Sequence, residues 1–345
     1  MGFSNWAVVG FKDDTGIGRM CQDIQKVLGV GKHLVAPSER MNTKEIYPPR
    51  EYFMPEDQDQ ENLLSQMKGL EGIICIERLH WNRMLIPLAK KLGLKILCVP
   101  MWEWFRGSDI EWKDADIFLC PNQKAVDILY SYGFKNVVKI AWPLDISHLP
   151  IRNIKGPAQT FFHNAGLVDH DDRKGTSLLV KAFSRVKNPD LRLIIRMQKE
   201  SPLPVFDSRI ELRIGNLKDP AELYKEGDAA IQPSCMEGLG FMVLEPVCCG
   251  LPVITTDAQP MNEYVSQPQM RVRTQIIKKK SFAWKAASIK HAYLTPPSVT
   301  NLAKTIDWCS GNDLTSISEE NRAFAEARHG LTQIREIWQS ALKNN

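Results

Sequence analysis

Short apolar runs alternate with amphipathic stretches along the first half of the chain: WAVVGF, GIGRMCQDIQKVL, EGIICIE, NRMLIPLAKKLG, KILCVP, DIFLCP, QKAVDILYSYGF and VVKIAWP. Apolar runs of about four to seven residues bounded by turns predict strands buried on both faces. Stretches of about 10 to 15 residues with apolar positions three and four apart predict the helices that cover them. Together they predict βαβ units and a parallel sheet. Over residues 145–159 the pattern lapses into DISHLPIRNIKGPAQ, whose prolines and glycine mark a linker. It then restarts with QTFFHNAG, TSLLVKAFSRV, LRLIIRM, IELRIGN, AELYKEG, AAIQPS, FMVLEPVCCG and LPVITT. The expected fold is therefore α/β, with two Rossmann-like parallel-sheet domains at residues 1–150 and 151–325. A C-terminal helix over 326–345 is expected to pack back on the first domain.

Composition narrows this picture. With 345 residues, 43% of them hydrophobic, the chain can bury two cores. The 44 basic side chains exceed the 40 acidic ones by only four, too small a surplus for a dedicated nucleic-acid binder. The start, MGFSNWAVVGF, carries no basic leader before an apolar run, and Trp6 stands where a myristoylation signal needs Ser or Thr. No run approaches the ~20 apolar residues of a membrane span, so a soluble or at most peripheral protein is expected, cytoplasmic or at a membrane surface. The eight cysteines include no CxxC pair, and Cys75, Cys98 and Cys120 lie in apolar runs; they read as reduced core thiols, with no metal centre expected.

The most informative segment is PSCMEGLGFMVLEPVCCGLPVIT. Gly238 and Gly240 allow close approach of backbone to a ligand. A helix starting near Gly240 offers its first amides, at Phe241 and Met242, to an anion such as a phosphate. Glu237 precedes this helix end and Glu245 follows eight residues later. Ionised carboxylates only accept hydrogen bonds, so such a pair suits the hydroxyls of a sugar and of a ribose. Spacing alone equally allows an amphipathic helix with a glycine turn.

Glu237 and Glu245 in EGLGFMVLE, with Pro233-Ser234 before and CCGLPVITTD after, resemble the E-x7-E block of the family four retaining glycosyltransferases. Arg173-Lys174-Gly175 is similar to the same family's RKG element. DDTGIGR and the run from DADIFLCP to VVKIAWPLD resemble parts of its N-terminal domain. The resemblance implies the GT-B fold, with two domains facing a central cleft, and transfer of a hexose-type sugar from a nucleotide diphosphate sugar to a glycan or lipid-linked acceptor. It implies donor contacts at Gly166, Arg173, Gly238, Gly240, Phe241, Met242, Glu245, Gly16 and Gly18, and catalytic roles for Lys174 and Glu237. Lys174 would stabilise charge developing on the departing diphosphate. It also implies retention by front-face displacement, with no protein nucleophile, no cofactor and no metal.

Two positions depart from the family pattern. Leu167 stands after Gly166 where an Arg is usual, leaving Arg173, Arg196 or Lys199 to supply a second cation. No His follows KILCVP; Glu103 takes that place among the catalytic candidates, with Trp102 and Trp104 as flat surfaces for a sugar and His80 as a further candidate. The donor base is expected near Gly215 to Leu217. A strip over residues 270–290, with Arg271, Arg273 and Lys278–Lys280, suits peripheral contact with an anionic membrane surface. Gly16-Ile17-Gly18 also partly matches a dinucleotide fingerprint, but Cys21 occupies its third glycine position, and Glu39 is the only acidic residue near the second strand's end. A non-catalytic or epimerase-like nucleotide-sugar protein on the same frame is the alternative.

Overall fold

The computed structural model describes residues 2–13, 16–37, 51–54, 59–166, 172–275, 279–280 and 291–343. Glu39, Leu167 and, apart from Lys279–Lys280, the basic strip from 276 to 290 lie outside the described residues. The chain divides into two compact units, Met1–Asp145 with Leu331–Asn345, and Ile146–Gly330. The sequence places the change-over at 150/151; in the structure it falls at 145/146.

The first unit holds a seven-stranded parallel sheet. In chain order its strands are β1 (Trp6–Gly10), β2 (Lys32–Val35), β3 (Glu51–Phe53), β4 (Gly72–Ile76), β5 (Lys95–Val99), β6 (Ile117–Cys120) and β7 (Val137–Lys139), and in space they run β3-β2-β1-β4-β5-β6-β7. Helices α1 (Gly16–Leu28), α2 (Gln60–Met67), α3 (Leu85–Lys91) and α4 (Gln123–Ser131) connect them. Every residue of β1 and β4 is buried, as expected where helices cover both faces. Cys75 and Cys98 are register partners on β4 and β5. All eight cysteines are buried free thiols, and burial pushes thiols such as Cys21, Cys75 and Cys98 upward, which makes them unreactive.

The second unit repeats the plan. Strands β8 (Thr160–Gly166), β9 (Arg192–Met197), β10 (Ile210–Ile214), β11 (Ala229–Gln232), β12 (Val253–Thr256) and β13 (Arg271–Val272) form a parallel sheet in the order β10-β9-β8-β11-β12-β13. Helix α5 (Thr176–Phe183) follows β8, and α6 (Phe241–Cys249) joins β11 to β12. In both sheets the chain first winds outward from the opening strand and then returns to its other side. The switch points lie between β1 and β4 and between β8 and β11, and open α/β sheets bind ligands beyond the carboxyl ends of the strands at such points.

The C-terminal stretch is two helices rather than one beginning at 326. Thr315–His329 belongs to the second unit, Gly330 is extended at φ −56° and ψ 139°, and Leu331–Lys343 joins the first unit. In that last helix Arg335 Nε donates to the Val27 carbonyl at 2.6 Å and the Trp338 indole donates to the Ala141 carbonyl at 2.9 Å. Trp338 is fully buried, edge-on to Trp142 at 6.3 Å between ring centroids.

Candidate functional site

Beyond the switch point of the second sheet, three segments meet. The first is the end of β8. Asn164 accepts from the Gly166 amide at 3.1 Å and donates to the Met242 sulfur at 2.9 Å, so the strand end is tied to the first turn of α6. Gly166 has φ +57° with open space where a side chain would stand. His163, fully buried and next to Asn164, sits 2.8 Å from the Ile231 carbonyl through Nδ1 and 2.9 Å from the Thr176 hydroxyl through Nε2. A neutral ring satisfies both, donating to the carbonyl and accepting from the hydroxyl. Burial holds its pKa down at about 4.

The second segment is the RKG loop. Asp172, at φ +45°, caps α5: its carboxylate accepts from the Thr176 amide at 2.8 Å, the Ser177 amide at 3.1 Å and the Ser177 hydroxyl at 2.5 Å. The start of α5 is therefore already served by a carboxylate, which offsets the unfavourable placing of Arg173 and Lys174 beside it. Gly175 follows at φ +71°, and a Cβ there would lie 2.2 Å from the Pro233 carbonyl oxygen. Only glycine fits a left-handed position pressed this closely against backbone. The Cys235 amide donates to the Arg173 carbonyl at 2.7 Å, so the loop is fastened to the third segment, which runs from β11 into α6.

That fastening brings Lys174 Nζ to 2.7 Å from Glu237 Oε1, with side-chain exposures of 18% and 8%. Burial pushes the Glu237 carboxyl up, but the charges of Lys174 and Arg173 and the hydrogen bond from Lys174 outweigh it and hold the group below its ordinary range. Gly238 and Gly240 carry the chain from Glu237 into α6. Gly240 is left-handed at φ +89°, and α6 begins with no side-chain cap and no acidic residue in its first turn. Tyr264 donates to the Leu239 carbonyl at 2.8 Å and its ring lies 3.3 Å from where a Gly240 Cβ would stand, which fixes the turn. Phe241 and Met242 open the helix. Glu245 is buried on its second turn and accepts from the Tyr224 hydroxyl; the Arg152 guanidinium in turn donates to the Tyr224 carbonyl and, at 3.0 Å, to that of Gly227.

The structure thus brings together Arg173, Lys174, Glu237 and the start of α6, and links Gly166 to them through Asn164 and Met242. Of the three cations considered for the second phosphate, Arg196 is excluded. Its guanidinium is bonded to Glu226, with Nε 2.7 Å from Oε1, and Arg213 binds the same oxygen at 2.9 Å. Lys199 is exposed on the segment after β9. Asp172, Asn164, His163 and Tyr224 escaped the sequence reading. A strand-end Asn and an Asp four residues before a helical Thr are cap-like signals available in principle; Tyr224 and His163 gave none.

In the first unit, Gly16 opens α1 with free space around it, whereas a Cβ on Gly18 would lie 2.0 Å from the Asp13 carbonyl oxygen. Gly18 is thus required by packing. Glu103 is buried on the segment after β5. Near it stands Glu77, a buried residue at the end of β4 with φ +70°. Burial pushes the Glu77 carboxyl up, Arg78 at 3.5 Å pulls it back and Glu103 adds to the rise, leaving it at about 7. The expected pair of stacking indoles is reduced to one: Trp102 is fully buried beneath Lys124, whose Nζ lies 3.6 Å from the ring centroid. Among the described residues, no three or more His, Cys, Asp or Glu are placed to hold a metal ion, and no helix is long and apolar enough to cross a membrane.

Residues 170–308 match the model of the family described as glycosyl transferases group 1. An uncharacterized glycosyltransferase of Methanocaldococcus jannaschii is 27% identical over 187 residues, which is 48% of this chain and 45% of that protein. The match therefore spans less than half of the curated relative. Among solved structures, HepE of Anabaena in complex with UDP and glucose superimposes with a TM-score of 0.69 at 13% identity, covering 99% of this chain and 100% of that one. A glycosyltransferase of Rickettsia africae gives 0.65 at 15% identity, and sucrose-phosphate synthase of Thermosynechococcus elongatus 0.61 at 12%, each covering 99% of both chains. At these identities the likeness is one of fold. Residues 170–308 are thus similar to the group 1 glycosyl transferases, and the chain as a whole has the two-unit α/β GT-B fold of these structures.

Proposed function

We propose that the protein is a retaining glycosyltransferase that moves a hexose-type sugar from a nucleoside diphosphate sugar to a hydroxyl of a glycan or lipid-linked acceptor. The observation that carries the reading is the Lys174–Glu237 pair at 2.7 Å beside the start of α6, whose first turn holds no acidic residue. A buried cation held in place by a carboxylate, next to a helix start with no acidic residue in its own first turn, is suited to a diphosphate. The amides at Phe241 and Met242 would take one phosphate, and Lys174 and Arg173 the charge that grows as the diphosphate leaves. Glu237 keeps Lys174 oriented and can accept hydroxyls of the donor sugar. Glu245, held by Tyr224, is the acceptor for the ribose. These cations and amides balance the diphosphate without a metal ion.

For retention, the departing phosphate oxygen takes the proton of the attacking acceptor hydroxyl on the same face of the sugar. One C–O bond breaks as another forms there, and no protein nucleophile is needed. Glu103 is proposed as a catalytic residue and Gly16 and Gly18 as donor contacts, and the strip over 270–290 is proposed to touch an anionic lipid surface.

The test is a thermal-shift panel of nucleoside diphosphates and their sugars, without added metal, on wild type and Lys174→Ala. HepE was solved with UDP and glucose, so the uridine series comes first. Stabilisation of wild type by one base, lost in the variant relative to its own ligand-free melting point, supports the site. No stabilisation by any base removes it. Anomeric configuration of the product, read by proton NMR coupling, decides retention against inversion.

A further inference from the structure

The first unit contains a cavity that the donor reading does not use. It encloses about 90 Å³ and is lined by Arg78, His80, Trp104, Arg106, Asp109 and Trp112. One water needs roughly 10–15 Å³ of such space, so there is room for a phosphate-sized group and its first neighbours. Trp112 is 2% exposed, yet its indole N–H has no hydrogen-bond partner. His80 Nδ1 is also buried and unpartnered. A buried donor left unpaired is unfavourable, so two such nitrogens on residues around one cavity point to a group that completes them.

The lining also specifies its chemistry. Arg78 and Arg106 are permanent cations, the indole can only donate, and the imidazole can donate from Nδ1. Asp109 is the one carboxylate, so the lining remains donor-rich and net positive. Arg78 is already positioned, stacked on Trp81 at 5.2 Å and 3.5 Å from Glu77. Phe105 packs on Trp112 at 4.7 Å between ring centroids, which fixes the indole in place.

We propose that this cavity binds one oxyanion group, a phosphate or carboxylate carried by an organic compound, between Arg78, Arg106, His80 and the Trp112 indole. Asp109 then takes a hydroxyl of the carrier or of a monoprotonated phosphate. The proposal goes beyond the transferase reading and is tested apart from it, since Arg78, His80, Arg106 and Trp112 are not among the donor groups proposed above.

The Trp112 indole provides a direct readout. A ¹H–¹⁵N spectrum of the full chain contains one indole signal for each of its nine tryptophans, and Trp112→Phe identifies the one that belongs here. Titration with inorganic phosphate, then with acetate, is expected to move that signal saturably downfield. Arg106→Ala, an exposed position, should leave the ligand-free spectrum in place and weaken binding about tenfold or more, the scale of one charge-assisted hydrogen bond. Response to phosphate alone assigns phosphoryl compounds, and response to acetate as well assigns carboxylates. A signal that moves with neither anion overturns the proposal and leaves ordered water as the occupant. It is equally overturned if glucose moves the signal as far, or if Arg106→Ala binds phosphate as well as wild type does.

Discussion

The two units share one plan of strands, yet the buried carboxyls at their strand ends behave in opposite ways. In the second unit Glu237 is held below its ordinary range; in the first, Glu77 is raised to about 7. Both are buried, so burial does not explain the difference. Glu237 has a cation bonded at 2.7 Å and a second cation nearby, whereas Glu77 has one guanidinium at 3.5 Å, itself 40% exposed, and faces Glu103. Desolvation favours the neutral acid in each case, and the count and closeness of compensating cations decide the sign. The second unit is thus built to hold a fixed negative charge beside a fixed positive one, and the first to hold a proton.

The largest expected effect breaks the second unit's half of this comparison. Lys174→Ala leaves Glu237 buried without its bonded cation, and the loss should approach about 3 kcal/mol at neutral pH in urea unfolding. Adding Glu237→Gln should recover most of it. If the single variant is as stable as wild type, the pair carries no structural weight.

The next effect tests the first unit. Because the folded Glu77 carboxyl titrates above the unfolded one, its contribution is fully present below the ordinary carboxyl range and is lost as pH rises through about 7. Glu77→Gln should therefore flatten the fall in stability between pH 5 and 8, by up to roughly 3 kcal/mol. An unchanged pH profile would show that Arg78 outweighs burial and Glu103 and leaves Glu77 ionised. His163 supplies an opposite slope. Its pKa is lowered to about 4, so its contribution is full above pH 6.5 and is lost as pH falls through 4, and His163→Gln should reduce that acid loss.

Two smaller effects sharpen how the RKG loop is held. Gly175→Ala meets both a left-handed backbone and the Pro233 carbonyl, and should cost about 2 kcal/mol in the same unfolding assay. Asp172→Ala removes the cap of α5 and should cost about 1 kcal/mol. Either change should also weaken nucleotide binding if the loop positions Lys174.

The strands buried on both faces were legible because a parallel sheet writes itself as unbroken apolar runs such as GIICI and KILCV. The three-residue strand Glu51–Phe53 and the helix Gln60–Met67 were missed, since neither presents a period long enough to stand out from its polar surroundings. Glu237, Glu245 and Lys174 could be picked out because the turn glycines and their spacing mark a helix end. What anchors them could not. Tyr224 reaches Glu245 from 21 residues away and Lys174 reaches Glu237 across 63, contacts set by how segments pack rather than by local pattern. Arg196 shows the converse: a free cation in the sequence is spent on Glu226 in the fold.

The return of Leu331–Lys343 to the first unit has a consequence for synthesis. The helix that lays Trp338 against Trp142 and Arg335 on the end of α1 leaves the ribosome after all of residues 146–330. The opening 145 residues therefore wait, with Trp142 uncovered on that side, while the later unit emerges and can fold on its own contacts. Of the two units, the one that begins earlier along the chain is the one completed later.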